Sequence, residues 1–286
     1  MIELYFIIAI CAIWLLFASI HDLRTRMVPN WVSFSLIVFV LGYRFFYSLF
    51  FGHGFGFFYQ GVIGLGIFFV IGNLLYYGRL FAGGDAKLMI ALGTALPFSQ
   101  GLRDNTEIFI TFIALFLVTG AVYGLLWSLF ISLKNFSIFK MEFKRKLGKE
   151  KKMITAFMLF GIALMLLGFA YPLSFYAGVL AFIFPYLYIY AKVIDDSCMV
   201  REKPVSRLEE GDWISHDVKI GNSTIRANWH GLTNEDIRKI RKAYKKIKIR
   251  EGIAFAPVFL ISFLLLVYIY LFNFESVGSI FGKIFP

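Results

Sequence analysis

The sequence predicts an all-α polytopic membrane protein of about eight transmembrane helices, with a small α+β cytoplasmic domain inserted before the last helix. Three observations carry this reading. The chain of 286 residues is 59% hydrophobic and only 16% charged, more apolar surface than a soluble fold needs. Apolar runs long enough to cross a bilayer recur along it. The basic residues behind a net charge of +11 collect in short segments between those runs. That distribution fits membrane topology and anionic lipid better than a nucleic-acid surface.

Eight spans follow in order: about 2–20, 31–51, 59–79, 85–99, 107–133, 153–171, 173–194 and 252–273. The first is followed by His21-Asp22-Leu23-Arg24 without a small-residue cleavage site, so it reads as a retained helix. The second carries Arg44, for which snorkelling toward the headgroups or structural pairing is expected. The fourth is short for a ~30 Å hydrocarbon core at ~1.5 Å per residue, which suggests a thinned or protein-shielded position. The sixth and seventh are separated only by Tyr171-Pro172, a tight turn between antiparallel helices. Between spans 5 and 6, a basic loop from Lys134 to Lys152 interleaves Phe136, Phe139 and Phe143, as an interfacial segment on an anionic leaflet does.

With the N-terminus outside, only Arg44, Arg103 and Lys283 of the 29 Lys and Arg residues fall outside the cytoplasmic segments. The positive-inside rule therefore puts both termini outside and the loops after spans 1, 3, 5 and 7 in the cytoplasm. Residues 1–194 form a core of about seven helices, 195–251 a small cytoplasmic domain, and 252–286 the final helix and tail. Within the small domain, Val218–Arg226 reads as a hairpin turning at Gly221-Asn222. Thr233 and Asp236 read as a helix-opening capping box, with Ile237, Ile240, Tyr244 and Ile247 on one face. The alternation in Lys246–Arg250 suits a strand as well. Such a small domain is marginal alone and is expected to lean on the membrane core.

The chemistry centres on Phe81-Ala82-Gly83-Gly84-Asp85-Ala86-Lys87-Leu88-Met89. Asp85 falls in the first turn of a membrane helix, where free backbone N–H groups and the dipole favour negative charge. Gly83 and Gly84 let another backbone approach. Asp22, directly after span 1, lies at the same membrane face in this topology. Brought within hydrogen-bond reach, two carboxylates share a proton. The charged one takes a proton from water as it attacks a peptide carbonyl, and the neutral one donates to the developing oxyanion. A juxtamembrane acid balancing Arg24 and Arg26, and a simple helix-start charge, are the structural alternatives for Asp22 and Asp85 taken singly. Lys87 tunes Asp85 or, more simply, anchors the helix end. His21 reads as a polar neighbour, and Asp195 with Asp196 as a weaker acid pair. Cys11 and Cys198 lack CxxC partners, which argues against a zinc knuckle, redox motif or disulfide framework. No metal and no cofactor is expected.

At these residues the sequence resembles the archaeal type IV prepilin and preflagellin peptidases, aspartic membrane proteases of the GxGD type. The matching stretches are Asp22-Leu23-Arg24-Thr25-Arg26-Met27-Val28-Pro29-Asn30-Trp31 and Gly83-Gly84-Asp85-Ala86-Lys87-Leu88. Toward the C-terminus they are Ser206–Trp213, Gly231-Leu232-Thr233 and Arg250–Pro257. The resemblance implies that Asp22 and Asp85 are the catalytic pair. It also implies a substrate class: class III signal-bearing precursors, pilin-like or archaellin, that lose a short basic leader at the cytoplasmic face. One position departs: the family motif opens on glycine, and Ala82 stands there. A positive φ at that position would be strained. Glu209 and Glu210 are candidate contacts for a basic leader by charge complementarity. Membrane lipid is an expected partner, and nucleic acid is not.

Two other readings stand beside this one. A presenilin-like intramembrane aspartic protease would want both aspartates well inside helices. A non-enzymatic cation or proton transporter would more often carry acids deep in its spans or in paired broken repeats.

Overall fold

The computed structural model describes residues 2–51, 54–221, 223–228 and 231–272. Asn222 of the expected hairpin turn, Lys283 and the tail from Phe274 lie outside the described residues. Five described helices are long and apolar enough to cross a membrane: Glu3–Thr25, Asn30–Phe50, Gly56–Tyr77, Leu102–Lys134 and Pro172–Cys198. The chain divides into two compact units, Met1–Gly124 with Ile253–Pro286, and Leu125–Gly252. The final helix thus belongs with the first four.

The first unit contains α1 (Ile2–Thr25), α2 (Asn30–Phe50), α3 (Gly56–Tyr77), α4 (Gly83–Ala95), most of α5 (Leu102–Lys134) and α10 (Ala256–Phe272). On α1 the buried positions Leu4, Ile7, Cys11, Leu15 and Ala18 recur every three or four residues and form a helical stripe. Ile13, Val38, Phe39, Leu117 and Val118 are exposed, as large apolar side chains facing lipid tails would be.

Most of α4 is buried, from Ala86 through Leu88, Met89, Ala91 and Leu92 to Ala95. The protein-shielded position expected for this short helix is what the structure has. Glycines on α3 and α4 allow it: a Cβ on Gly64 would run into the Gly93 carbonyl, and one on Gly93 would stand 2.5 Å from that of Gly64. Backbone contact through small residues is how helices pack tightly where no hydrophobic force drives them together.

Arg44 does not snorkel. It is fully buried, and its guanidinium closes the C-terminal end of α4. Nε donates to the Thr94 carbonyl at 3.0 Å, Nη1 to Phe57 at 3.0 Å and Nη2 to Pro97 at 2.6 Å. A helix that stops inside the protein leaves orphan carbonyls and a negative dipole end, and a cation with several donors answers both. Gly61 makes the room, since a Cβ there would sit 2.6 Å from the Arg44 Cδ.

In the second unit, α6 (Phe136–Lys149) is the basic segment expected at an interface. Phe139 and Phe143 stack at 5.4 Å and pack with Leu147 against Ile154, Ile189 and Val193, so they face protein; Phe136 is exposed. α7 (Lys151–Leu167) and α8 (Pro172–Val193) form the expected antiparallel pair across Tyr171-Pro172, with the backbones of Gly161 and Gly178 in contact. A π-helical turn, Ile194–Cys198, follows. Its Asp195 pairs with Arg250 at 3.0 Å and its Asp196 with Lys146 at 2.6 Å, so each has a structural counter-charge.

The small domain has a three-stranded antiparallel sheet of β1 (Val200–Pro204), β5 (Lys246–Arg250) and β2 (Trp213–Ile214), with β5 central. β3 (Val218–Ile220) and β4 (Ser223–Ile225) pair as the expected hairpin. α9 (Asn234–Ala243) opens on the Thr233/Asp236 capping box. The helix ends sooner than a face running to Ile247 would require. Alternation in Lys246–Arg250 prevails because β5 buries Ile247 and Ile249 beside Ile237 and Ile240.

Candidate functional site

Asp22 stands on the last turn of α1 and is 5% exposed. The helix closes with Arg26 in the left-handed region at φ 61°, and the Arg26 N–H donates to the Asp22 carbonyl at 2.8 Å. The His21 ring donates through Nδ1 to the Met27 carbonyl at 2.8 Å, so this polar neighbour braces the turn. The Asp22 side chain meets a different helix: its Oδ2 accepts the backbone N–H of Ala256 at 2.9 Å, the first residue of α10, with the Phe255 N–H close by. An acid facing the N-terminus of a second helix satisfies orphan donors there and gains from the dipole. Proline at position 257, inside the first turn, suits that helix start.

Asp85 is the third residue of α4 and is half-buried. Its carboxylate accepts from the backbone N–H of Ala82, one residue before the helix, which is half of a capping box. Ala82 itself has φ −70° and ψ 160°. That is ordinary extended backbone, so alanine fits where the resembled family has glycine. The glycine that matters for packing is Gly84. A Cβ there would stand 3.2 Å from the Cβ of Val28 and 3.4 Å from its carbonyl, whereas one on Gly83 would have only a Tyr76 ring atom at 3.7 Å. Lys87 donates to Asn30 Oδ1 at 2.7 Å and so anchors the start of α4 to the start of α2. Val28 and Asn30 belong to the segment leaving Asp22, so these two ties draw the helix bearing Asp85 against it. The two carboxylates lie within each other's electrostatic reach.

The structure thus brings Asp22, Asp85, Gly84 and Lys87 together. Glu209 and Glu210 lie in the other unit and are exposed. Glu210 accepts from Asn234 at 2.7 Å, while the Glu209 N–H donates to Asp212, itself paired with Lys203 at 2.8 Å. Sequence reasoning missed three groups at the site: the Ala256 N–H, the inward side of Arg26, and Tyr123 of α5. The buried hydroxyl of Tyr123 lies within electrostatic reach of both Asp22 and Arg26. Its ring meets that of Phe255 edge-on at 6.5 Å. The Ala256-Pro257 pair signalled a helix start in the sequence. Tyr123 carried no local signal, because an aromatic residue in an apolar span looks like any other.

In chemical terms the site offers two carboxylates, each steadied by a helix N-terminus and within electrostatic reach of the other. Asp22 is buried and Asp85 half-buried. Brought within hydrogen-bond reach, such a pair can hold a single proton between them, activate a water and protonate a carbonyl oxygen.

The type IV leader peptidase family is matched over residues 9–133. This part of the chain is thus similar to the prepilin-peptidase type of protease, and the five long apolar helices fit a multi-pass membrane setting. The match takes in both Asp22 and Asp85; α10, which supplies the Ala256 N–H, lies beyond it. No curated protein and no solved structure matches the chain.

Proposed function

We propose that the protein is an aspartic endopeptidase that removes a short basic leader from pilin-like or archaellin precursors, with Asp22 and Asp85 as its dyad. What supports this is that two acids 63 positions apart in sequence lie within electrostatic reach of each other, inside a segment matched to the leader peptidases. The ionised carboxylate takes a proton from water while the water oxygen adds to the scissile carbonyl carbon. The neutral carboxyl passes its proton to the carbonyl oxygen. Collapse of the gem-diol breaks the C–N bond, the amine leaves with the proton taken from water, and the gem-diol hydroxyl returns its proton to the other acid. No covalent intermediate and no metal enter this scheme.

The setting we propose is the cell membrane. α4, α7 and α10 lie in the bilayer beside the five longer spans, both termini are outside, and the dyad is at the cytoplasmic face. Residues 195–251 form a cytoplasmic docking domain whose exposed Glu209 and Glu210 attract the basic leader. The outer face of α6, with Phe136, Lys140 and Lys144, rests on anionic lipid.

Co-expression with candidate class III precursors tests the activity. Mass spectrometry of the product should show loss of the leader immediately before the hydrophobic helix. Uncut precursor across pilin-like and archaellin substrates, with the peptidase folded in the membrane, would contradict the assignment.

A further inference from the structure

The dyad as described is symmetric in chemistry but not in surroundings. Asp22 is almost fully buried, accepts from the start of α10 and has a cation and a hydroxyl within electrostatic reach; Asp85 is half-buried and accepts from one backbone N–H. The groups that surround Asp22 come from every element packed on it. They are His21 and Arg26 from the end of α1, Asp85 from α4 and Tyr123 from α5, while α10 presents backbone N–H groups and apolar side chains.

Arg26 is the unusual member. Among the described residues only Arg26 and Arg79 are non-glycine residues with positive φ, at 61° and 60°. The position after a helix that adopts this conformation is normally glycine, because a Cβ there is strained. A retained outlier points to a function for its side chain. Arg79 is exposed, and closing α3 accounts for it. Arg26 differs: its Nη1 is buried, and its charge reaches both Asp22 and the buried Tyr123 hydroxyl.

We propose that Arg26 is a positioning residue for the dyad, its inward guanidinium holding Asp22 as the ionised, water-activating acid and leaving the shared proton on Asp85. This rests on the peptidase reading above. Asp22 then takes the water proton as the C–O bond forms, and Asp85 gives its proton to the carbonyl oxygen. Tyr123 and the Ala256 N–H fix the Asp22 carboxylate so that it does not turn away from the water.

Substitution by glycine separates the two roles of Arg26. If the residue only closes α1, Arg26→Gly relieves the backbone and leaves the rate unchanged. On the present proposal it keeps or raises thermal stability, yet lowers kcat/KM at least tenfold at neutral pH with little change in KM. Without the cation, the charged form of Asp22 is less favourable, so it holds its proton to higher pH. The acidic limb of the kcat/KM profile therefore moves up by about one pH unit. Arg26→Lys returns the limb toward its original place. An Arg26→Gly variant with normal rate and an unmoved limb overturns the proposal. So does a variant whose rate falls while the limb stays put and lysine restores nothing. Asp22→Asn in the same series keeps the two levels apart: if it cleaves, the dyad reading fails. If it is dead while Arg26→Gly is normal, only the present inference fails.

Discussion

Gly84 is where a single methyl group should separate activity from stability. Its position in the second residue of α4 lets Val28 lie against the backbone, and a Cβ there would be 3.2 Å from the Val28 Cβ. That is a few tenths of an ångström too close, so the start of α4 must shift from the segment that leaves Asp22. Gly→Ala in a helix gains roughly 0.8–1 kcal/mol of propensity, and crowding costs about 1–3 kcal/mol. Net stability should thus fall by only about 0–2 kcal/mol. Misplacement of Asp85 is less forgiving, since errors near 1 Å cost on the order of 100-fold in rate; a shift of a few tenths should cost about 3- to 10-fold. Gly83→Ala, with 3.7 Å of clearance, and Ala82→Gly, with φ −70°, should keep near-normal rates. The assay is leader removal from a precursor in membranes at saturating substrate, beside a thermal-shift curve for each variant. Full activity in Gly84→Ala, or an equal loss in Gly83→Ala, would refute the argument that Gly84 sets the approach of the two acids.

Three further outcomes follow from the structure and the proposed function. Arg44→Met strands the carbonyls of Thr94 and Pro97 that now accept from the guanidinium, while that of Phe57 stays inside α3. Each costs about 1–3 kcal/mol, partly offset because no buried charge remains to desolvate, so unfolding in detergent should shift by about 3 kcal/mol or more; an unchanged curve would show the cap to be idle. Glu209→Lys with Glu210→Lys should raise KM for a basic-leader precursor several-fold and leave kcat near normal, and loss of kcat in a folded variant would make the domain part of the chemistry. Cysteines introduced near residues 145 and 220 should be labelled only from the cytoplasmic side, and labelling from outside intact cells would overturn the orientation.

Most of the helical framework was legible because apolar length is a local property. The hairpin at 218–225 and the Thr233/Asp236 cap were legible for the same reason, since turn chemistry and capping act within a few residues. The acids themselves were legible through glycine spacing and position beside spans. What the sequence hid was tertiary. Arg44 looked able to snorkel from the outer half of α2, but its preferred acceptors lie fifty residues on, at the end of α4. Ala82 looked like a departure in need of glycine, and only its dihedral removes the concern. The Ala256 N–H reaches Asp22 across 234 positions, and no periodicity announces such a contact. Lys246–Arg250 was open between helix and strand until its pairing partners on β1 and β2 decided it.

The central claim is that Asp22 and Asp85 act as one unit. Leader removal by Asp22→Asn, Asp85→Asn and the double variant, in membranes and beside a fold control, tests it most directly. Asn keeps size and polarity, so insertion and folding should be little changed. Each single variant should lose cleavage, and the double variant should be no worse than either, because groups that work together are strongly non-additive. The wild-type rate should fall on both sides of a pH optimum, as the pair gains a second proton or loses its only one. Substantial cleavage by either single Asn variant, in a protein that folds normally, would contradict the account.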